Sequence, residues 1–270
     1  MLFRSIYASF NPIGAQTGRT SCSEPNLQQL PHETLARASI RPGEGRVFVR
    51  ADYSQLQIVI AAWLSDDPTM KRILNTPGGD VHIATASAVG CTRQEAKAIN
   101  FGFLFGAGAE TFRREQRKNG IILSDEQALA YRRKFMSTYP GIRKWHRGLG
   151  EWGTEAEVID FTGSGRRRLA IFSNNVKANT PVQMAEAHGF KLALKRLYET
   201  REAVPSARLV MMVHDELIAE CDVGEADQVG QWLVSNMVAA MQPLVEGVVV
   251  RVDPVTVPSY SDEDKKHAEH

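Results

Sequence analysis

Two aspartates stand where a chain can hold them rigidly and aim them at a phosphate. Asp52 follows the strand-like run Arg46-Val47-Phe48-Val49-Arg50-Ala51, at the point where alternation gives way to a helical pattern. Asp215 lies in the polar insert His214-Asp215-Glu216, flanked by apolar residues on both sides between Arg208 and Cys221. Carboxylates are hard oxygen donors. Phosphoryl transfer uses such donors to hold divalent cations, two of them roughly 3.5–4 Å apart where a hydroxyl is activated and a leaving pyrophosphate neutralised. Two acids from distant parts of the chain, brought together on one sheet, could hold such a pair. Taken alone, either aspartate is more often a turn or cap residue.

A second constellation recurs every four residues: Arg93, Lys97, Phe101 and Phe105. Each step of four turns a helix by about 400°, so the row stays on one stripe. The cations come first, near a helix N-terminus, where polyanions are already favoured. That order suits a nucleotide, with its triphosphate at the cations and its sugar and base against the rings. The competing reading is an amphipathic helix with two core phenylalanines. Against it stand Gly102 and Gly106, each costing about 1 kcal/mol relative to Ala within a helix and removing bulk so that another surface can approach.

The elements that must position these groups alternate in kind. The first forty residues read as extended and turn-rich, and a strand over 46–50 leads into a helix from about Ser54 to Leu64. From Asp80 to about Trp152 the pattern is helical, broken at Asn119-Gly120 and Pro140-Gly141. A strand over 158–161 precedes the turn Gly163-Ser164-Gly165, and a long helix is expected after Pro181. The run 208–221 reads as a buried hairpin with a functional tip. A helix over 225–241, a strand over 248–257 and a loose charged tail after Ser259 follow. Strands before and after a helical insert imply a sheet-based domain interrupted by a helical one.

Bulk properties set limits without choosing a partner. Hydrophobic residues make up 43% and charged residues 23%, ordinary globular values, and the net charge is only +1. No stretch suits a membrane span, and the N-terminus lacks the pattern of a secretion signal, so a soluble, cytoplasmic protein is expected. Cys22, Cys91 and Cys221 are too far apart for a zinc spacing or a disulfide framework and read as reduced thiols. Charge distribution says more. Arg113, Arg114, Arg117 and Lys118 form one basic cluster, and others lie at 132–134, 143–147 and 166–168. The acids collect elsewhere, as in Asp262, Glu263 and Asp264. Basic clusters interleaved with Tyr131, Trp145 and Trp152 suit a groove that tracks a nucleic-acid backbone, and equally suit solvated helix faces.

These residues resemble a known family. Asp52-Tyr53-Ser54-Gln55 resembles the first signature motif of family A DNA polymerases, the bacterial DNA polymerase I type. The run Arg93…Lys97…Asn100-Phe101-Gly102…Phe105-Gly106 resembles the second, and Val213-His214-Asp215-Glu216 the third. Gln16-Thr17-Gly18-Arg19 with Asn26-Leu27-Gln28, Asp80-Val81-His82…Thr85-Ala86, and Asn179-Thr180-Pro181-Val182-Gln183 are similar to three further segments. All six occur in the family's order. The resemblance implies an α+β fold, a palm with an antiparallel β-sheet and packed helices, interrupted by all-α fingers that close over a correct nucleotide. It places the palm at 1–66 and 161–270 and the fingers at 67–160.

It also implies roles. Asp52 and Asp215 would ligate two Mg²⁺ ions, with Mn²⁺ as a substitute, assisted by the Tyr53 carbonyl. Those two acids, Glu216 and Lys97 form the implied catalytic set. Arg93, Lys97 and His82 would hold the triphosphate, and Phe101, Phe105, Gln57 and Tyr53 would surround the nucleotide. Arg19, Asn26, Gln28, Asn179, Gln183 and His214 would grip primer–template DNA. The reaction would be template-directed transfer from a dNTP to a primer 3′-hydroxyl, in replication or repair, in a nucleoid-associated protein of bacterial, phage or plasmid origin.

Four departures qualify the likeness. About sixteen residues precede Thr17, so neither thumb nor exonuclease domain is expected, and a protein partner would supply duplex grip or processivity. Gln57 stands where the family usually has a glutamate that gates against ribose 2′-hydroxyls, and Phe105 where it usually has a tyrosine. Loss of both polar partners together leaves no unpaired buried charge and implies looser exclusion of ribonucleotides. The stretch from His82 to Arg93 is shorter than usual, and Asn175 replaces a common arginine. A non-catalytic primer–template binding module, and a polymerase of unusual chemistry such as primer synthesis or RNA-templated copying, remain competing readings.

Overall fold

The structure is a computed structural model that describes residues 5–31, 35–150 and 154–261. Trp152 and the acidic tail at Asp262, Glu263 and Asp264 lie outside the described residues. In chain order the first elements are β1 (Ser9–Asn11), β2 (Ser21–Ser23), α1 (Leu35–Ser39), β3 (Arg46–Tyr53) and α2 (Leu56–Ser65). Six helices follow: α3 (Pro68–Asn75), α4 (Val81–Val89), α5 (Arg93–Leu104), α6 (Ala109–Lys118), α7 (Asp125–Thr138) and α8 (Pro140–Gly148). Then come β4 (Ala156–Ile159), β5 (Arg167–Ile171), α9 (Asn174–Glu199), β6 (Arg208–Val213), β7 (Glu216–Asp222), α10 (Ala226–Met241) and β8 (Val252–Val257).

Two compact units emerge. The first takes residues 1–56, 186–244 and 250–270, and the second 57–185 and 245–249. These limits differ from the sequence-based ones at 66 and 160, chiefly because the helices from α2 to α8, the β4–β5 ribbon and the start of α9 form one body.

The first unit is built on an antiparallel sheet in the order β6-β7-β3-β8. Strand alternation divides its faces. Phe48, Ile218, Val255 and Val257 join Cys22, Leu27, Met211 and Tyr260 in one apolar cluster. Val49, Ala51 and Tyr53 point the other way, where α10 covers the sheet and the Tyr53 hydroxyl donates to the Met237 carbonyl at 2.7 Å. Burying each such large side chain contributes about 1.5–3 kcal/mol. Strand β3 runs to Tyr53, longer than its apolar pattern suggests, because both neighbours pair with it through Asp52.

In the second unit the helix starts are written in the sequence. Asp67 caps α3 ahead of Pro68, and Asp80 accepts from the backbone N–H groups of His82 and Ile83 to cap α4. Thr92 with Glu95, and Ser124 with Gln127, form reciprocal capping boxes for α5 and α7. An aromatic chain, Phe112, Phe103, Phe135 and Tyr139, fills the core with ring centroids 4.6, 5.8 and 5.0 Å apart. Helix α9 starts at Asn174 and carries Pro181 within it, rather than starting after that proline. Among the described residues no helix is long and apolar enough to cross a membrane, and all three cysteines are free thiols.

Candidate active site

Asp52, Asp215, Glu216 and Asp253 of the first unit lie at one end of its sheet. Asp52 on β3 is in register with Glu216 on β7 and with Asp253 on β8. Asp215 occupies the two-residue turn between β6 and β7, immediately before Glu216. Pairing thus brings together acids separated by over one hundred and sixty positions in the chain. Burial, then the Asp52 charge, then the Glu186 charge push the Asp215 carboxyl well above the ordinary carboxylate range, and Arg19 only partly offsets them. Asp52 and Asp215 thus stand in each other's repulsive field.

Backbone conformation sharpens the placement. His214 has φ 56° and Gln55 has φ 53°, both left-handed and neither a glycine. One lies beside Asp215 and the other three residues past Asp52. Each costs of order 1 kcal/mol or more and persists only where surroundings enforce it, a pattern that clusters at functional sites.

Glu216 has a different environment from the two aspartates. Its two oxygens accept from the Arg50 guanidinium at 2.9 and 3.1 Å, with both residues buried. Arg50 also lies 4.7 Å over the Tyr260 ring. Glu216 thus braces β7 against β3 next to Asp215. Sequence reasoning missed Arg50, whose partner is set by register.

It also missed Glu186. This residue is buried and pairs with Arg19 at 2.5 Å, and its other oxygen has no hydrogen-bond partner among the described residues. Arg19, Gln28, Glu186, Lys191 and His214 line one small cleft. There Gln28 donates to the Met212 carbonyl at 3.4 Å and Lys191 to the Gly18 carbonyl at 2.5 Å. The structure thus brings together Arg19, Gln28 and His214. Asn26 instead spends its side chain locally, accepting from the Gln28 N–H.

In the second unit the Arg93 row does lie on one outer stripe of α5. Ala96, Ile99, Asn100, Phe103 and Leu104 face the core, whereas Arg93 and Lys97 are exposed and Phe101 is half-buried. Phe105 is the C-cap rather than a helical residue, and its ring stacks on Phe101 at 6.4 Å. Arg93 donates twice to Asp80, at 3.0 and 2.7 Å. Burial raises the Asp80 carboxyl, but the Arg93 donors and the two backbone N–H groups outweigh it and hold it below its usual value. Among the described residues Lys97 has no hydrogen-bond or ion-pair partner. Gln57 is half-buried on α2.

His82 is buried, 2.8 Å from the Asn100 amide nitrogen and 5.9 Å from the Phe101 ring centroid. Burial, with help from Arg93 and Lys97 and against Asp80, keeps its pKa low, so the ring is neutral. Asn100 accepts from Thr85 through its oxygen, so its amide nitrogen donates to His82 Nδ1, which leaves the ring proton on Nε2. A neutral His82 remains a donor to phosphate, without contributing charge.

Phe101, Phe105, Arg168, Asn175, Asn179 and Gln183 line a cleft of about 410 Å³ within this unit. Among the described residues the side-chain oxygens of Asn175 and Asn179 have no hydrogen-bond partner. Aromatic rings and amides lining one cleft are groups that can stack on and hydrogen-bond to a nucleobase.

The donor set at the sheet end fits divalent cations: two oxygen-donor carboxylates whose mutual repulsion a cation would relieve. Among the described residues no three His, Cys, Asp or Glu side chains gather as a metal-binding group, so the remaining ligands would be backbone, water or substrate oxygens.

Comparison with known proteins adds to this geometry. The family description "DNA polymerase family A" matches residues 3–259. DNA polymerase I of Aquifex aeolicus (strain VF5) is 34% identical over 263 residues, covering 93% of this chain and 45% of that protein. The thermostable DNA polymerase I of Thermus thermophilus is 31% identical over 270 residues, covering 92% of this chain and 32% of that protein. Among solved structures, the POL domain of Pol1 from M. smegmatis, in complex with DNA primer-template and dNTP, superposes with a TM-score of 0.81 at 26% identity. That match covers 97% of this chain and 48% of the other. The chain spans less than half the length of each of these proteins.

Proposed function

The chain belongs to DNA polymerase family A, and from that premise we propose that it is a DNA-directed DNA polymerase unit, transferring a nucleotidyl group from a dNTP to a primer 3′-hydroxyl with release of pyrophosphate. The first unit is then the palm and the second the fingers. The observation that carries this reading is the convergence of Asp52 and Asp215 at one sheet end, with left-handed backbone at His214 beside Asp215 and at Gln55 three residues past Asp52.

Asp52, Asp215 and the Tyr53 carbonyl would hold the cations. When bound, a pair of Mg²⁺ or Mn²⁺ ions supplies Lewis-acid activation of the primer hydroxyl and neutralises charge on the leaving pyrophosphate. The protein's own part is positioning. Glu216, locked by Arg50, fixes the hairpin that carries Asp215. Arg93 and Lys97 attract the triphosphate, Lys97 as an exposed cation and Arg93 by sharing its guanidinium with Asp80. His82 donates through Nε2. Phe101 and Phe105 offer stacked faces to sugar and base. Arg19, Gln28 and His214 contact the primer–template duplex, while Asn179 and Gln183 offer amides to a base. Asn26 shapes the segment that carries Gln28.

At the ribose gate, Gln57 and Phe105 lack the carboxylate and the phenol that would pair. We propose relaxed exclusion of ribonucleotides as the consequence. A ribonucleotide-to-deoxyribonucleotide incorporation ratio as low as that of a glutamate-bearing relative would remove this part of the reading.

Primer extension in Mg²⁺, comparing the intact chain with Asp215→Asn, tests the whole. Extension that Asp215→Asn abolishes supports the assignment. Tight primer–template binding with no extension in Mg²⁺ or Mn²⁺ would instead make the chain a non-catalytic binding module.

A further inference from the structure

Four polar side chains of the second unit touch in a row inside its core: Tyr139, Thr85, Asn100 and His82, each at most 4% exposed. They come from three places in the fold. His82 and Thr85 lie on one face of α4, Asn100 is on α5, and Tyr139 joins α7 to α8. Tyr139 Oη is 2.7 Å from Thr85 Oγ1, which is 2.7 Å from Asn100 Oδ1, and Asn100 Nδ2 is 2.8 Å from His82 Nδ1. A buried polar group without a partner is costly, so the protons of this row must be shared out with little freedom.

Counting them fixes a direction. Tyr139 and Thr85 each carry one hydroxyl proton, and the Asn100 amide donates only from nitrogen. Two acceptors lie near the Tyr139 proton, Thr85 Oγ1 at 2.7 Å and the Val81 carbonyl at 3.5 Å. The second is beyond the usual range for a hydroxyl donor, so Tyr139 donates to Thr85. Thr85 then donates to Asn100 Oδ1, Asn100 Nδ2 donates to His82 Nδ1, and the proton of the neutral ring lies on Nε2. The reverse order would turn the Asn100 amide over and put the ring proton on Nδ1. It would also leave the Tyr139 proton only the distant Val81 carbonyl. Burial, partly offset by the Thr85 hydrogen bond and reinforced by the Asp67 and Asp80 charges, pushes the Tyr139 hydroxyl up to about 12, so its proton stays in place at neutral pH.

The row ends on a donor with no taker in the protein. Among the described residues His82 Nε2 has no hydrogen-bond partner. Arg93 and Lys97 add to burial in keeping the ring neutral, so both cations bear on it from α5. A polyanion drawn to them meets an N–H already aimed.

We propose that Asn100, Thr85 and Tyr139 are positioning residues that hold His82 as an Nε2–H donor to the triphosphate of an incoming nucleotide, an inference that rests on the polymerase reading above. No proton moves along the row. It sets tautomer and ring orientation together, and it ties α4 and α5 to the α7–α8 junction. The orientation of the donor is then settled before the ligand arrives, which lowers the ordering cost of binding.

Nitrogen NMR of the histidine-labelled whole chain reads the tautomer, with the His82 signals identified by their loss in His82→Gln. Wild type should show a protonated Nε2 and a bare Nδ1. Thr85→Val keeps the size of the side chain and removes both the donor to Asn100 and the acceptor for Tyr139. A share of Nδ1–H ring should then appear, and Thr85→Ser should restore the wild-type spectrum. Asn100→Asp reverses the row, because a carboxylate accepts from both Thr85 and His82 Nδ1 and leaves a neutral ring with a bare Nε2. At about pH 8.5, above the ordinary histidine value, that variant should bind inorganic triphosphate about tenfold more weakly than wild type, as expected for a lost hydrogen bond to a charged acceptor. The gap should narrow at lower pH, where the ring takes up a second proton. Asp80, Arg93 and Lys97, the charged groups that bear on the ring, are the same in both chains. Should Asn100→Asp fail to fold, the Thr85 pair carries the test. An Nδ1–H ring in wild type overturns the proposal. So does a tautomer that Thr85→Val leaves unchanged in a folded chain, or an Asn100→Asp deficit that is equal at both pH values. The two readings fail separately. Primer extension by a chain whose His82 carries its proton on Nδ1 sinks the row alone. The assigned tautomer and pH-dependent triphosphate binding, in a chain that extends no primer, sink the polymerase alone.

Discussion

Asp215 illustrates how a site can be assembled at the expense of the fold. Its carboxyl sits above the ordinary value because burial and the Asp52 and Glu186 charges oppose ionisation. Ionising it therefore costs more in the folded chain than in the unfolded one, and stability without metal falls as pH rises from about 3.8 through the raised value. At neutral pH, without divalent ions, Asp215→Asn should melt higher than wild type, by on the order of 2–4 °C per kcal/mol relieved. Mg²⁺ should raise the melting temperature of wild type and leave the variant nearly unmoved. Thermal melts with and without Mg²⁺, set beside extension assays, check this; a variant that melts lower in both conditions would contradict the like-charge account. Arg50 and Glu216 obey the opposite logic. Removing one partner strands a buried charge, so Arg50→Met or Glu216→Gln should cost about 3–5 kcal/mol, while Arg50→Met with Glu216→Leu should recover much of that loss. Denaturant unfolding of the three variants measures it.

Elements decide what the sequence could and could not disclose. The hairpin of β6 and β7 was legible because two apolar runs flank one polar insert, and α5 because its cap box and its four-residue row coincide. Nothing local announces that Asp52 faces Glu216 and Asp253, or that Arg50 reaches Glu216, since register is set by partners elsewhere in the chain. Glu186 reads as one more polar helical residue until burial and its link to Arg19 are known. The start of α9 departs from the sequence expectation for a physical reason. Proline prefers the first helical turn, so Pro181 invites a boundary that Asn174 in fact sets. Gly102 shows the same gap between pattern and packing. A Cβ there would come within 2.9 Å of Phe112 Cδ2, and that ring is itself buried. The glycine admits a neighbouring helix of its own unit, not only a ligand. Gly102→Ala gains up to about 1 kcal/mol of helix propensity and faces an overpacking cost of about 1–3 kcal/mol. We expect net destabilisation with tilted Phe101 stacking, read as a lower denaturation midpoint and a raised KM for dNTP; a more stable variant would show that Phe112 yields freely.

For the molecule as a whole, a net charge of +1 conceals a division of labour. The acids that would hold cations belong to the first unit, and the cations that would hold a triphosphate to the second. Each unit has its own core, the sheet covered by α10 in one and the aromatic chain from Phe112 to Tyr139 in the other. A ligand that touches one unit should therefore order that unit first. Binding suppresses local opening only where it adds free energy to the closed form. Mg²⁺ alone should slow amide exchange in β3 and in the β6–β7 hairpin, and leave α4 and α5 unchanged. A dNTP without primer should slow exchange in the first turns of α4 and α5, where Asp80, His82, Arg93 and Lys97 lie. Lys97→Ala should abolish the second effect and spare the first. Hydrogen-exchange mass spectrometry resolves these segments. Protection of the hairpin by dNTP without metal, or of α5 by Mg²⁺ alone, would mean that the two sets of charges do not divide the substrate as assigned.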